Sequence, residues 1–88
     1  METVSLEICN HRGLHARAAA KFVELVAKFD SDVTVSKDGN TVTGDSILGL
    51  MTLGAALGNR IEVTVNGSDE VAAIRAISDL VKNKFDEN

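Results

Sequence analysis

His15 and Arg17 lie two residues apart in Gly13-Leu14-His15-Ala16-Arg17, at the head of the helix-prone run Ala16-Arg17-Ala18-Ala19-Ala20-Lys21-Phe22. A neutral imidazole nitrogen carries a lone pair that can attack phosphorus. The P–N bond it forms has no strong resonance stabilisation, so the phosphoryl group passes on readily. A helix start presents unpaired backbone N–H groups and the positive end of the helix dipole. These suit a phosphate, and the guanidinium fork of Arg17 suits its oxygens. Both also favour the uncharged ring near pH 7. His15 taken alone reads as an exposed loop residue beside a cap; the flanking glycine, arginine and alanines turn it into a candidate nucleophile with a cradle. Ser46 is the second candidate. It precedes Ile47-Leu48-Gly49-Leu50-Met51-Thr52-Leu53, closed by Gly54, so it reads as the N-cap of a two-turn helix. A phosphate on such a serine is well tolerated.

The elements that must hold these residues follow from periodicity. Val4, Leu6 and Ile8 alternate with polar residues and predict a strand, followed by a loop over 10–13. Residues 16 to about 28 predict a helix with Ala19, Phe22, Val23, Val26 and Ala27 on one face. Val33 and Val35 mark a second strand, Asp38-Gly39 a hairpin turn, and 41–43 a third, short strand. Within 47–53, Leu50 and Leu53 are the core positions. Gly58 marks a turn, and Ile61, Val63 and Val65 form a fourth strand that stops at Asn66-Gly67. Ser68 is the expected cap of a last helix, with Asp69 and Glu70 in its first turn and Val71, Ile74, Ile77 (or Ser78) and Val81 along its apolar face. The tail Asp86-Glu87-Asn88 is expected to fray. Four strands and three helices in this order imply one α+β domain over 1–88, a sheet with helices on one face.

Composition narrows the function classes. The chain has 88 residues, a net charge of −4 and 44% hydrophobic residues, with no Trp, Tyr or Pro and only three Phe. The core must therefore be aliphatic. Without a basic stripe or aromatic stacking surface, nucleic-acid binding is unsupported. The single Cys9 cannot form an internal disulfide, there is no long apolar run, and Met1 leads straight into a strand pattern. These features suggest a soluble, cytoplasmic protein with no membrane insertion. Cys9, His11 and His15 are metal-capable but make no closed ligand set, so no metal site is expected, and Cys9 reads as packing. Gly49 and Gly54 echo a phosphate loop, but Ala55-Ala56 stand where that loop needs Lys-Ser/Thr.

Gly13-Leu14-His15-Ala16-Arg17-Ala18 resembles the phosphohistidine signature of the HPr family, the small histidine-containing phosphocarriers of the bacterial phosphoenolpyruvate-dependent phosphotransferase system. Ser46-Ile47-Leu48-Gly49-Leu50-Met51 resembles the family's second motif, and length and element order match over nearly the whole chain. The resemblance implies an open-faced β-sandwich (βαββαβα), a four-stranded antiparallel sheet covered by three helices. It implies that His15 accepts a phosphoryl group on Nδ1 from phosphorylated enzyme I, which uses phosphoenolpyruvate and Mg²⁺, and donates it to a histidine of a IIA-type protein, with Arg17 contacting the phosphate. The chain would then be a phosphotransfer intermediate that aids sugar transport, not an autonomous enzyme, with no cofactor of its own. Ser46 aligns with the serine that HPr kinase/phosphorylase modifies in part of the family. Leu14, Ala20, Ile47, Leu48 and Met51 are the expected apolar docking patch for partners, and a monomer is the expected state.

Two departures from the family pattern stand out. Ala18 replaces a common proline; Ala is the best helix former, so the helix should survive. Glu24, Ala27 and Gly49 make the docking surface less basic than in many members. The rival readings are a regulatory paralogue, of nitrogen type or controlling a kinase or transcription factor, that works mainly by protein binding, and a small binding module with an incidental histidine.

Overall fold

The computed structural model describes residues 1–87. Seven principal elements run in the order β1 (Glu2–Glu7), α1 (Ala16–Val26), β2 (Asp32–Lys37), β3 (Asn40–Thr43), α2 (Ile47–Thr52), β4 (Arg60–Asn66) and α3 (Glu70–Lys82). The sheet is antiparallel throughout, with strand order β1-β4-β2-β3. This is the open-faced sandwich that the two motifs imply.

Alternation sets the register. Leu6 pairs with Ile61, Val63 lies between Val4 and Val35, and Val65 opposes Val33. Leu6, Ile61, Val63, Val65, Val33 and Val35 are all buried. A slip of one residue would turn this set out to solvent. On the other face Thr3, Thr64, Thr34 and Thr43 form one row across all four strands. Asp38 (φ 51°) and Gly39 (φ 85°) make the β2–β3 turn, as two positive-φ residues must in a tight hairpin of this kind.

The helices close the core with Ala18, Ala19, Phe22 and Val26 from α1, Leu50 from α2 with Leu53 just after it, and Ala73, Ile77 and Val81 from α3. Several expectations are corrected here. Helix α1 stops at Val26, not near Lys28, and its buried face includes Ala18, while Ala27 is exposed. The N-cap position of α3 is Asp69, not Ser68, and its side chain makes no cap bond: the carboxylate is turned to the β2 side, accepting from the Asp30 N–H and the Ser31 hydroxyl. Those bonds, Ser31 first, hold the Asp69 carboxyl below its ordinary range. Val71 is exposed, and Ala73 takes its place in the apolar stripe.

The tail is also ordered where fraying was expected; Asn88 lies outside the described residues. Beyond α3 the chain makes a short left-handed turn with Lys84, Phe85 and Asp86 at φ 59°, 54° and 61°. Phe85 is fully buried against the core. The left-handed region costs an L-residue about 1–2 kcal/mol. Burying one Phe returns about 1.5–3 kcal/mol, less than three such residues cost together. Further contacts must hold the turn, and two backbone bonds (Asp86 N–H to Asn83 O, Glu87 N–H to Lys84 O, both 3.0 Å) and one from Lys21 Nζ to Phe85 O (2.8 Å) do so.

Candidate functional site

His15 is the N-cap of α1, in extended backbone at φ −78°, ψ −178°. The approach to it is fixed from below. Gly13 adopts φ +66°, and any Cβ there would run into the Ala55 carbonyl oxygen and stand 2.9 Å from Ala56 Cα. Leu14 N–H donates to that same carbonyl at 2.9 Å. The loop therefore lies flat on the segment that follows α2, and only glycine allows it. Asn10, fully buried, donates from Nδ2 to Gly13 O at 2.7 Å and ties the loop to itself.

Both ring nitrogens of His15 are engaged. Nδ1 accepts from the Arg17 backbone N–H at 3.3 Å. Nε2 lies 2.9 Å and 3.2 Å from the two carboxylate oxygens of Glu87. A nitrogen that accepts cannot also carry the proton, so the neutral ring bears it on Nε2 and donates to Glu87. Nδ1 is left with its lone pair directed at the first turn of α1. The side chain keeps 18% of its surface accessible, so the ring is reachable but held.

Glu87 is the residue sequence reasoning missed. It arrives on the left-handed turn and also accepts from Asn10 Nδ2 at 2.9 Å. Asn10 first, then His15, keeps the Glu87 carboxyl below the ordinary glutamate range. A signal was present: Ile77, Val81 and Phe85 recur every four residues, so the apolar period runs past the end of α3 and marks a tail that packs.

Arg17 is exposed on the first turn of α1, with its backbone N–H already on the ring. In α2, the Ser46 hydroxyl accepts from Gly49 N–H at 2.9 Å, the expected cap. Ile47, Leu48 and Met51 are exposed (42%, 73% and 41%) and Ala20 is half-buried. Leu14 is corrected: at 5% exposure it belongs to the core, drawn in when its N–H bonds Ala55, and not to an outward patch. Exposed Leu57 was not foreseen. Cys9 is half-buried with its thiol directed at the Glu7 and Val81 carbonyls. Among the described residues no three His, Cys, Asp or Glu side chains converge as a metal site, and no helix is long and apolar enough to cross a membrane.

The geometry defines a small α+β protein with an oriented histidine at a helix start, a backbone N–H at Nδ1 and a carboxylate behind the ring. Residues 3–83 match the family described as the PTS HPr component phosphorylation site. The chain is 48% identical over 83 residues to the phosphocarrier protein HPr of Neisseria meningitidis, covering 94% of this chain and 93% of that one. It is 42% identical over 80 residues to the phosphocarrier protein NPr of Shewanella violacea, covering 91% and 88%. The crystal structure of HPr-C-His from Thermoanaerobacter tengcongensis superposes with a TM-score of 0.95 at 45% identity, over 100% of this chain and 99% of that one. The chain belongs to the HPr family of phosphocarriers of the phosphotransferase system.

Proposed function

We propose that this phosphocarrier takes a phosphoryl group on His15 Nδ1 from phosphorylated enzyme I and passes it to IIA-type proteins, acting as a monomeric cytoplasmic intermediate rather than an autonomous enzyme. The observation that carries this reading is the ring itself: Nε2 faces Glu87 and Nδ1 faces the Arg17 N–H. When phosphorus reaches Nδ1, the N–H groups that open α1 would receive its oxygens, and the exposed Arg17 side chain on the same turn would swing onto them. Phosphoryl transfer asks chiefly for this positioning and charge stabilisation. Ile47, Leu48 and Met51 of α2, together with the half-buried Ala20 of α1, would offer an apolar docking surface that a partner covers while its own phosphohistidine meets His15. Ser46 is a candidate regulatory site on the same helix; a doubly charged group there would sit beside that surface and alter docking.

Incubation with purified enzyme I, Mg²⁺ and phosphoenolpyruvate tests the reading. The expected result is a mass gain of one phosphate that is acid-labile, base-stable and lost in His15→Ala. An unmodified wild type beside a control carrier that charges fully would defeat it. The likeness to a phosphocarrier bearing the separate name NPr favours one second reading, a regulatory paralogue. Charged protein that no sugar-specific IIA protein discharges would select it.

A further inference from the structure

Building on the carrier reading above, we infer that Glu87, braced by Asn10, is a positioning residue for His15 that keeps the ring proton on Nε2 throughout a cycle of phosphoryl uptake and release. Three observations converge on it. The Glu87 carboxylate meets Nε2 at 2.9 Å and 3.2 Å, while Nδ1 is taken by the Arg17 N–H. Asn10 is fully buried and directs both described bonds of Nδ2 to acceptors, Gly13 O and Glu87 Oε1, while its own Oδ1 has no partner among the described residues. Turning the amide over would set Oδ1 against two acceptors, so the orientation is forced, at the expense of an orphaned buried oxygen. Finally, three left-handed non-glycine residues in a row deliver Glu87 to the ring. Strain kept at such a place points to use. The family match ends at residue 83, before this segment begins.

The chemistry follows with nothing left over. On uptake, the Arg17 N–H lets go of Nδ1, the freed lone pair forms the N–P bond, and the donor's bond to phosphorus breaks, its electron pair leaving with the donor. The ring becomes a phosphoimidazolium, its proton still on Nε2, and the negative carboxylate 2.9 Å away offsets the new positive charge. On release, the acceptor's lone pair forms the new bond to phosphorus, and the N–P pair returns to Nδ1. The ring is again neutral, with the same proton on the same nitrogen. A phosphoimidazolium is a better leaving group than a neutral phosphoimidazole, so retaining the proton keeps the group transferable. Arg12 adds a weak favourable charge toward Glu87, and the Arg17 backbone N–H lies at the other ring nitrogen, Nδ1.

The test uses the full chain, with Glu87→Ala and Glu87→Gln beside the wild type. Nitrogen NMR of the unphosphorylated protein needs no donor. It is expected to show the His15 ring protonated on Nε2, with that proton sheltered from exchange in the wild type and rapidly exchanging in Glu87→Ala; backbone dispersion in the same spectra reports that the variant is folded. Phosphoramidate then serves as a small-molecule phosphoryl donor. Uptake in both variants should slow by about tenfold or more, short of the roughly hundredfold loss expected of a group that itself transfers a proton. Discharge of the phosphohistidine should begin to fall at a lower pH than in the wild type, because without the carboxylate the Nε2 proton leaves sooner. A purely structural Glu87 would not move that pH profile. Equal proton exchange, or coincident profiles for wild type and Glu87→Ala, would overturn the role of Glu87 and leave the carrier intact. A wild type that takes no phosphoryl group from phosphoramidate or from enzyme I would bring down both.

Discussion

The starts of α1 and α2 are alike on paper and different in use. Each has a side chain at the cap position accepting from a backbone N–H: His15 Nδ1 from Arg17 at 3.3 Å, Ser46 Oγ from Gly49 at 2.9 Å. Ser46 makes the ordinary cap, and a Cβ at Gly49 would stand 3.1 Å from Ser46 Oγ, a tight contact that a small shift of that side chain relieves. His15 makes a longer, poorer cap and has a second hold from Glu87 on its far side. A helix start supplies N–H groups and a dipole to either residue. What distinguishes His15 is the loop that presents it and the carboxylate that turns its ring, and neither belongs to the helix.

The sharpest way to break this contrast is to remove the loop. Gly13→Ala must place a Cβ against Ala55 O in left-handed backbone. Backbone strain of about 1–2 kcal/mol plus the clash predicts a loss of roughly 2–4 kcal/mol in denaturant unfolding, with phosphoryl uptake falling as His15 is displaced. The matching change at α2, Gly49→Ala, meets only contacts at 3.1 Å and beyond, the nearest being the Ser46 side chain, and has no positive φ to strain. It should leave uptake nearly unchanged. Equal effects of the two substitutions would erase the distinction drawn between the helix starts.

Charge at α1 gives the next effect. Arg17→Ala leaves the backbone N–H on the ring and removes only the exposed guanidinium. Transfer from enzyme I should fall by about tenfold or more, less than the loss of a donor in an enclosed oxyanion site, with the melting temperature unchanged. Ser46 separates structure from regulation at α2. Ser46→Ala removes a cap and should destabilise by about 1 kcal/mol. Ser46→Asp keeps a capping oxygen and adds charge, so its stability should match the wild type while charging by enzyme I slows. Normal charging of Ser46→Asp would leave Ser46 a cap and nothing more.

Periodicity and turn chemistry made the sheet, the hairpin at Asp38-Gly39 and the α2 bracket legible in the sequence, because each rests on residues adjacent in the chain. The misses involve residues that meet across it. Asp69 stands at the cap position of α3 in place of Ser68, but its side chain is committed to Ser31, 38 positions away. Leu14 is spaced like an exposed neighbour of His15 yet is pulled inward by a bond to Ala55. Glu87 meets His15 across 72 positions, and three charged or amide residues at 86–88 read as solvent-facing. His15, Arg17 and Ser46 were visible because their chemistry is local; the partner that sets the ring was not.

That partner also gives the smallest and most direct test of the contrast, a pH dependence that α1 has and α2 lacks. The Glu87 carboxyl sits below its ordinary value in the folded protein, through Asn10 first and His15 second. Between the folded and unfolded values the unfolded chain binds more protons, so stability rises with pH across that window. The contribution is complete above the unfolded value, near pH 4.3, and is lost as pH falls through the lower folded value. Glu87→Gln removes the titration. The wild type should therefore be more stable than Glu87→Gln at neutral pH, with the gap closing progressively as the solution is acidified below about pH 5. Asp69 is lowered in the same sense by Ser31, so its acid loss runs in parallel in both proteins and cancels in the difference. Ser46→Ala, with no ionising group in its bond to Gly49, should differ from wild type by an amount that stays constant over the same range. A gap for Glu87→Gln that stays equally flat would mean that the carboxylate is not held by Asn10 and His15 in solution, and the two helix starts would then differ in their loops alone.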